Sequence, residues 1–227
     1  MKPIGIRKKS YLAFRFLDAS IDFAKYAIAF EKERHSYNDE YFHYLFSSII
    51  LCVTFLESNI NEFYSTIKDE ENNISKTILV KNSNVIISLW DRGIPRTAKH
   101  SILDKYEIAL DVTESNKIDS SCNPYQNVAA IIKLRNALIH YEPEWQKVST
   151  DNNSATYLEK SLKGKYELSK YFHPKTEPFF PYLCLSGDCC LWAIKNSVEF
   201  VFQFYKNINV EIPFKRVYEN TIKKISV

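Results

Sequence analysis

The chain has 227 residues, a formal charge of +3 and 45% apolar residues, with Phe and Tyr at 15 each but Gly at only 4. That length holds one large core without disulfide staples, and so few glycines disfavour the many tight turns of a sandwich or barrel. The small charge does not by itself identify a nucleic-acid binder.

The basic residues at the ends (Arg7-Lys8-Lys9, and Lys215, Arg216, Lys223 and Lys224) read first as solvated termini. The five cysteines (Cys52, Cys122, Cys184, Cys189 and Cys190) include no C-x-x-C pair and are odd in number. The longest apolar stretch, Leu45 to Leu56, is 12 residues interrupted by serines, against roughly 20 for a membrane span. No signal peptide is expected at the start. These features predict a reduced, cytoplasmic protein, no membrane partner, and cysteines used as small buried apolar groups.

From Tyr11 to Glu33, Leu12, Phe16, Ala19, Phe23, Tyr26 and Phe30 recur at steps of four and three, which predicts a helix with those residues facing the core. After a polar break at His35 to Glu40, the series Phe42, Leu45, Ile49, Val53, Leu56, Ile60 and Phe63 repeats the spacing, and Ile50, Leu51 and Phe55 fill other sides. A helix apolar nearly all round is buried, so this one is expected at the bundle's centre. Glu57 and Asn61, four apart, share a face at its end.

Lys68 to Asn84 reads as a polar loop. Thr77 to Trp90 is compatible with a hairpin or with short helical pieces, and helical neighbours favour the second; Gly93 and Pro95 end it. Ser101 with Asp104 predicts a capped helix to Thr113 with a Leu103, Tyr106, Leu110 stripe. Pro124 opens a helix over 125–141, and Pro143 closes it. The stretch 142–181 reads as an irregular insertion with one helix near Ala155 to Lys163, stopped by Gly164. A last core helix is expected from Gly187 to Lys206 on Leu191, Ile194, Val198, Val201, Phe202 and Tyr205. The expected architecture is therefore an all-α antiparallel bundle in one domain, 1–227, with the insertion before the last core helix.

The chemistry-bearing run is Arg135-Asn136-Ala137-Leu138-Ile139-His140. From the composition, an Arg-Asn-x3-His run arises by chance about 0.01 times. On an ideal helix Asn136 and His140 lie roughly 40° apart and Arg135 roughly 140° from His140. Val128, Ile131, Leu134 and Leu138 form one apolar flank. Ile132 and Ile139 form a second, and Ala129 and Ala137 near its border permit close approach. Two stripes on one helix suit a contact between two copies about a two-fold axis. The competing reading is a wholly buried helix, with Arg135 paired to Glu57 and His140 satisfied by a backbone carbonyl. The other histidines (His35, His43, His100 and His173) lack metal-ligand spacing, and no phosphate loop or G-x-S-x-G is present. No metal or cofactor is expected.

The run Ile131 to His140 resembles the R-x4-6-H motif of HEPN domains, including the polar residue after Arg. Leu103-Asp104-Lys105-Tyr106-Glu107-Ile108-Ala109-Leu110, Glu142-Pro143-Glu144-Trp145, and Cys184-Leu185-Ser186 into Trp192-Ala193 resemble the surroundings of that motif in uncharacterised bacterial HEPN-like proteins. The resemblance covers about Phe42 to Trp145 and the last helix, but not the insertion. It implies a HEPN-like bundle that dimerises through the 125–141 helix and acts as a metal-independent endoribonuclease on RNA. Its catalytic residues would be Arg135, Asn136 and His140, with Glu57, Asn61 and Tyr141 in support. The resemblance also implies a toxin or phage-defence role with a cognate antitoxin. A non-catalytic dimeric module binding RNA, nucleotide or a partner protein is the alternative. One departure stands out: some members carry a Tyr two residues after the His, whereas here Tyr141 follows His140 directly and Glu142 stands at the second position.

Overall fold

The computed structural model describes residues 9–71, 80–93, 100–143 and 156–212, with backbone only for 69–71. Seven α-helices are described: α1 Ala13–Glu33, α2 Asp39–Glu71, α3 Ser83–Asp91, α4 Ile102–Val112, α5 Tyr125–Ile139, α6 Tyr157–Leu162 and α7 Gly187–Asn207. No strand occurs among the described residues, and the chain is all-α.

α2 is the centre, as its all-round apolar pattern predicts. Leu45, Ile49, Cys52, Val53, Phe55, Leu56 and Ile60 are fully buried along it. It is also the one described helix, over Asp39–Lys68, long and apolar enough to cross a membrane, with a mean hydropathy of 1.3. In the bundle its apolar faces are covered by α1, α5 and α7. Its end extends past Lys68, so the expected loop begins later than predicted.

α1 runs antiparallel to α2. The buried Ser20 hydroxyl donates to the Ser48 carbonyl (2.8 Å) and the Ser48 hydroxyl to the Ser20 carbonyl (2.9 Å). This corrects the expected core face of α1. The buried line is Ala13, Leu17, Ser20, Ile21, Ala24 and Ala27, shared with the expected stripe only at Phe30. Leu12 and Tyr26 are exposed, and Phe16 and Phe23 are half-buried. The seam takes small residues because the helix axes approach closely, which leaves the large rings at the flanks. There Phe23 and Tyr26 meet Tyr44 of α2 (6.4 and 5.5 Å between centroids).

α7 runs parallel to α2: Cys190 Sγ contacts the Leu45 carbonyl, Cys52 Sγ donates to Ser197 Oγ (3.2 Å), and Phe63 meets Phe204 edge-on. Its first residue touches α1, where a Cβ on Gly187 would fall 2.5 Å from Ile28 Cγ1. The Gly187 amide donates to Glu31 Oε1 (2.8 Å), which also accepts from the Tyr41 hydroxyl (2.5 Å). A carboxylate at a helix N-terminus satisfies an orphan amide and opposes the helix dipole. Glu62 of α2 does the same for α1, accepting from the Leu12 and Ala13 amides (2.6 and 2.8 Å).

The Ser101–Asp104 capping box forms as predicted, with bonds of 2.8 and 3.1 Å. Within Thr77 to Trp90 the described residues are helical from Ser83, with Trp90 stacked on Tyr64. Segment 164–183 is no loose excursion. Tyr171 donates to the Phe30 and Arg34 carbonyls, and Phe172 packs on Tyr37 and Phe42, closing the α1–α2 turn. Arg7-Lys8, residues 77–79, Pro95, Glu144-Trp145, Ala155 and the basic C-terminal tail lie outside the described residues.

Four cysteines are buried as expected, but Cys122 is exposed in the turn before α5. Burial pushes the Cys52 and Cys189 thiols up to about 12 and also raises Cys184 and Cys190. Iodoacetamide at neutral pH should therefore label Cys122 alone in the native protein and all five only in denaturant; peptide mapping by mass spectrometry reads this directly. Gly187→Ala should lower stability by about 1–3 kcal/mol in a urea titration, because α1 must shift to admit the methyl.

Candidate functional site

α5 lies against α2 and α7, with Val128, Ala130, Ile131 and Leu134 buried. Leu138, expected with them, is half-buried near the helix end. A polar tie adds to the apolar contact. Asn127 donates to the Asn196 side chain of α7 (2.7 Å), Asn196 donates to the Trp192 carbonyl (2.8 Å), and Lys165 donates to the Asn127 oxygen (2.5 Å). Both amides are buried. Such groups are tolerated inside only when paired, and paired they fix one register.

This register decides which side of α5 meets solvent. Gln126, Lys133, Asn136 and His140 are exposed, at steps of seven, three and four. The helix ends at Ile139, two residues before the predicted end. His140 is its C-cap (φ −112°, ψ 32°), with its amide donating to the Asn136 carbonyl (3.0 Å). Asn136 and His140 therefore share the open face as expected. Ile139 and Tyr141 are 44% and 49% exposed, and the Tyr141 ring lies 6.1 Å from that of Phe180. Arg135 is half-buried on the far flank. Among the described residues the side chains of Arg135, Asn136 and His140 make no hydrogen bond or ion pair. The competing reading, a wholly buried helix, does not describe this exposed C-terminal end.

Glu57 and Asn61 are not brought to Arg135. Glu57 accepts from Lys105 Nζ of α4 (2.8 Å), with the lysine side chain 3% exposed and the carboxylate side chain 43% exposed. Two residues along α4, Glu107 accepts from the Tyr125 hydroxyl at the start of α5 (2.5 Å). Glu57 thus stands level with the first turn of α5, and Arg135 follows Tyr125 by ten residues, about 15 Å along the axis. The expected support from Glu57 fails because antiparallel packing sends the motif to the other end of α2. The Asn61 amide oxygen is buried and takes no hydrogen bond among the described residues.

The sequence reading missed two neighbours of the motif. Lys133 stands one turn before Asn136 and donates to the Tyr157 hydroxyl of α6 (2.5 Å). The i, i+3, i+7 series Lys133, Asn136, His140 was a signal that could have found the lysine. Nothing local links it to Tyr157, 24 residues away. No group of three or more metal-binding side chains occurs among the described residues. The chain matches no family model, no curated protein and no solved structure.

The Glu57–Lys105 pair gives an asymmetric expectation. Glu57→Ala should cost about 1–3 kcal/mol because it strands a buried ammonium, whereas Lys105→Met should be nearly neutral. Paired urea titrations check this. With Glu57 remote from Arg135, Lys105→Met should also leave any RNA-cleaving activity unchanged.

Proposed function

We propose that the protein is a HEPN-like, metal-independent endoribonuclease acting as a homodimer through α5. The resemblance of the Arg135 to His140 run motivates the reading. The observation that carries it is the exposed end of α5, where Asn136 and His140 share one face and Ile139 and Tyr141 leave apolar surface beside them.

Cleavage of RNA by its own 2′-hydroxyl needs a base for that hydroxyl, an acid for the leaving 5′-oxygen and a cation for the charged phosphorane. An imidazole can serve as either base or acid near neutral pH. The Arg135 guanidinium suits phosphate oxygens with its planar fork of donors, and Asn136 would orient His140 or bind phosphate. Arg135 and His140 diverge on one helix, and one chain supplies a single such histidine. A second α5 about a two-fold axis supplies the other histidine and covers Ile132 and Ile139. A toxin or defence role, with a cognate antitoxin, rests on the resemblance alone, and a cytoplasmic location on the cysteine usage.

One observation favours a second reading. Among the described residues His140 has no side-chain hydrogen-bond partner to set its tautomer or direction, which suits a dimeric module that binds RNA, nucleotide or a partner protein without turnover.

Purified protein incubated with structured and unstructured RNA in EDTA should leave 2′,3′-cyclic phosphate ends. His140→Ala and Arg135→Ala should each reduce the rate at least a hundredfold while remaining folded and dimeric. Binding without cleavage would select the second reading. Cleavage surviving both substitutions would refute the motif's role.

A further inference from the structure

The open face of α5 does not end at Asn136 and His140. Lys133, one turn earlier, is exposed and lies 4.1 Å from the centroid of the Tyr157 ring while donating to its hydroxyl. Tyr157 is 69% exposed, the most open of the large apolar side chains described. The ring thus carries a cation over one face, bonded to its hydroxyl, while most of it stays open to solvent. The polar tie of Lys165 to Asn127 anchors the chain just after α6 to the same helix. Lys160, also exposed, lies one turn along α6 from Tyr157.

An oriented ring open to solvent, flanked by ammonium groups, matches the chemistry of single-stranded nucleic acid. Every base has a π-face that stacks on such a ring, and the cations meet the phosphates between bases. We propose that Tyr157, with Lys133, forms a stacking subsite for an unpaired base of the RNA strand whose scissile phosphate lies at His140. The inference rests on the ribonuclease reading and adds a base-stacking subsite beside the motif. Lys133 and His140 are seven residues apart, about 10 Å along the axis. At about 3.4 Å per stacked nucleotide, the base on Tyr157 therefore belongs to a nucleotide within about three of the one cleaved. Paired bases are stacked on each other and cannot take the ring, so duplex should be a poor ligand.

The test measures binding of a labelled, unstructured 2′-O-methyl RNA, which lacks the attacking hydroxyl, alongside kcat and KM for the matching cleavable RNA. Tyr157→Ala should weaken binding and raise KM about tenfold. Tyr157→Phe, which keeps the ring, should stay within a few-fold of wild type. Lys133→Gln should lower the salt slope of binding by about one. A duplex of the same sequence should bind more weakly than the single strand. Both positions are on the surface, and circular dichroism checks that each variant is folded. If wild type binds and cleaves RNA but Tyr157→Ala does both equally well, the subsite is wrong and the ribonuclease reading stands. If wild type binds no RNA, both fall. If Tyr157→Ala changes the mass of the assembly and not RNA affinity, the ring is a protein contact and the inference is overturned.

Discussion

Helices approach one another closely only where the side chains between them are small, and the seam of α1 on α2 and α7 is built that way. Ala24, Ala27 and Ser20 leave room along α1, and Gly187 has room for no more than a hydrogen where it meets Ile28. Close approach multiplies weak dispersion contacts, and it also brings polar groups within bonding range. Ser20 and Ser48 satisfy each other's backbone carbonyls across the seam. Glu31 reaches the first amide of α7, and Glu62 reaches the first amides of α1. Each of these caps depends on the spacing of the seam.

With α1, α2 and α7 locked, α5 has one groove in which to lie. Its apolar flank enters the groove, and the Lys165–Asn127–Asn196 chain, with both amides buried, rejects neighbouring registers, since a slip would leave amides unpaired in the interior. The same lock determines what is left outside. Lys133, Asn136 and His140 face solvent because Leu134 and Ile131 cannot. A helix end whose Asn136 and His140 side chains bond to none of the described residues is poorly preorganised by itself, and preorganisation is what catalysis at a phosphate requires. A second copy of α5 would supply that order, so assembly and chemistry are one question in the proposed function.

The Glu57–Lys105 pair shows how a plausible pairing fails. Glu57 and Arg135 are complementary in charge, and nothing in the sequence forbids their contact. Antiparallel packing puts them at opposite ends of α5, and Lys105, a buried ammonium that needs a counter-ion, takes the carboxylate. The seam face of α1 was missed for a related reason: a stripe of large apolar residues and a stripe of small ones run side by side, and the larger side chains give the stronger periodic signal.

By itself the sequence determined that the chain is helical, that α2 is central, where α7 begins and ends within a residue, that Ser101 caps α4, and that Asn136 and His140 share a face. These follow from contacts within a few residues, where helical geometry is set by the backbone. Only the tertiary structure decided which stripe of α1 faces inward, which cation holds Glu57, which carboxylates cap α1 and α7, and that Tyr157 stands beside Lys133. Those outcomes join residues 24 to 156 positions apart. They are selected by whether each buried charge, amide and hydroxyl finds a partner at the distance that packing allows.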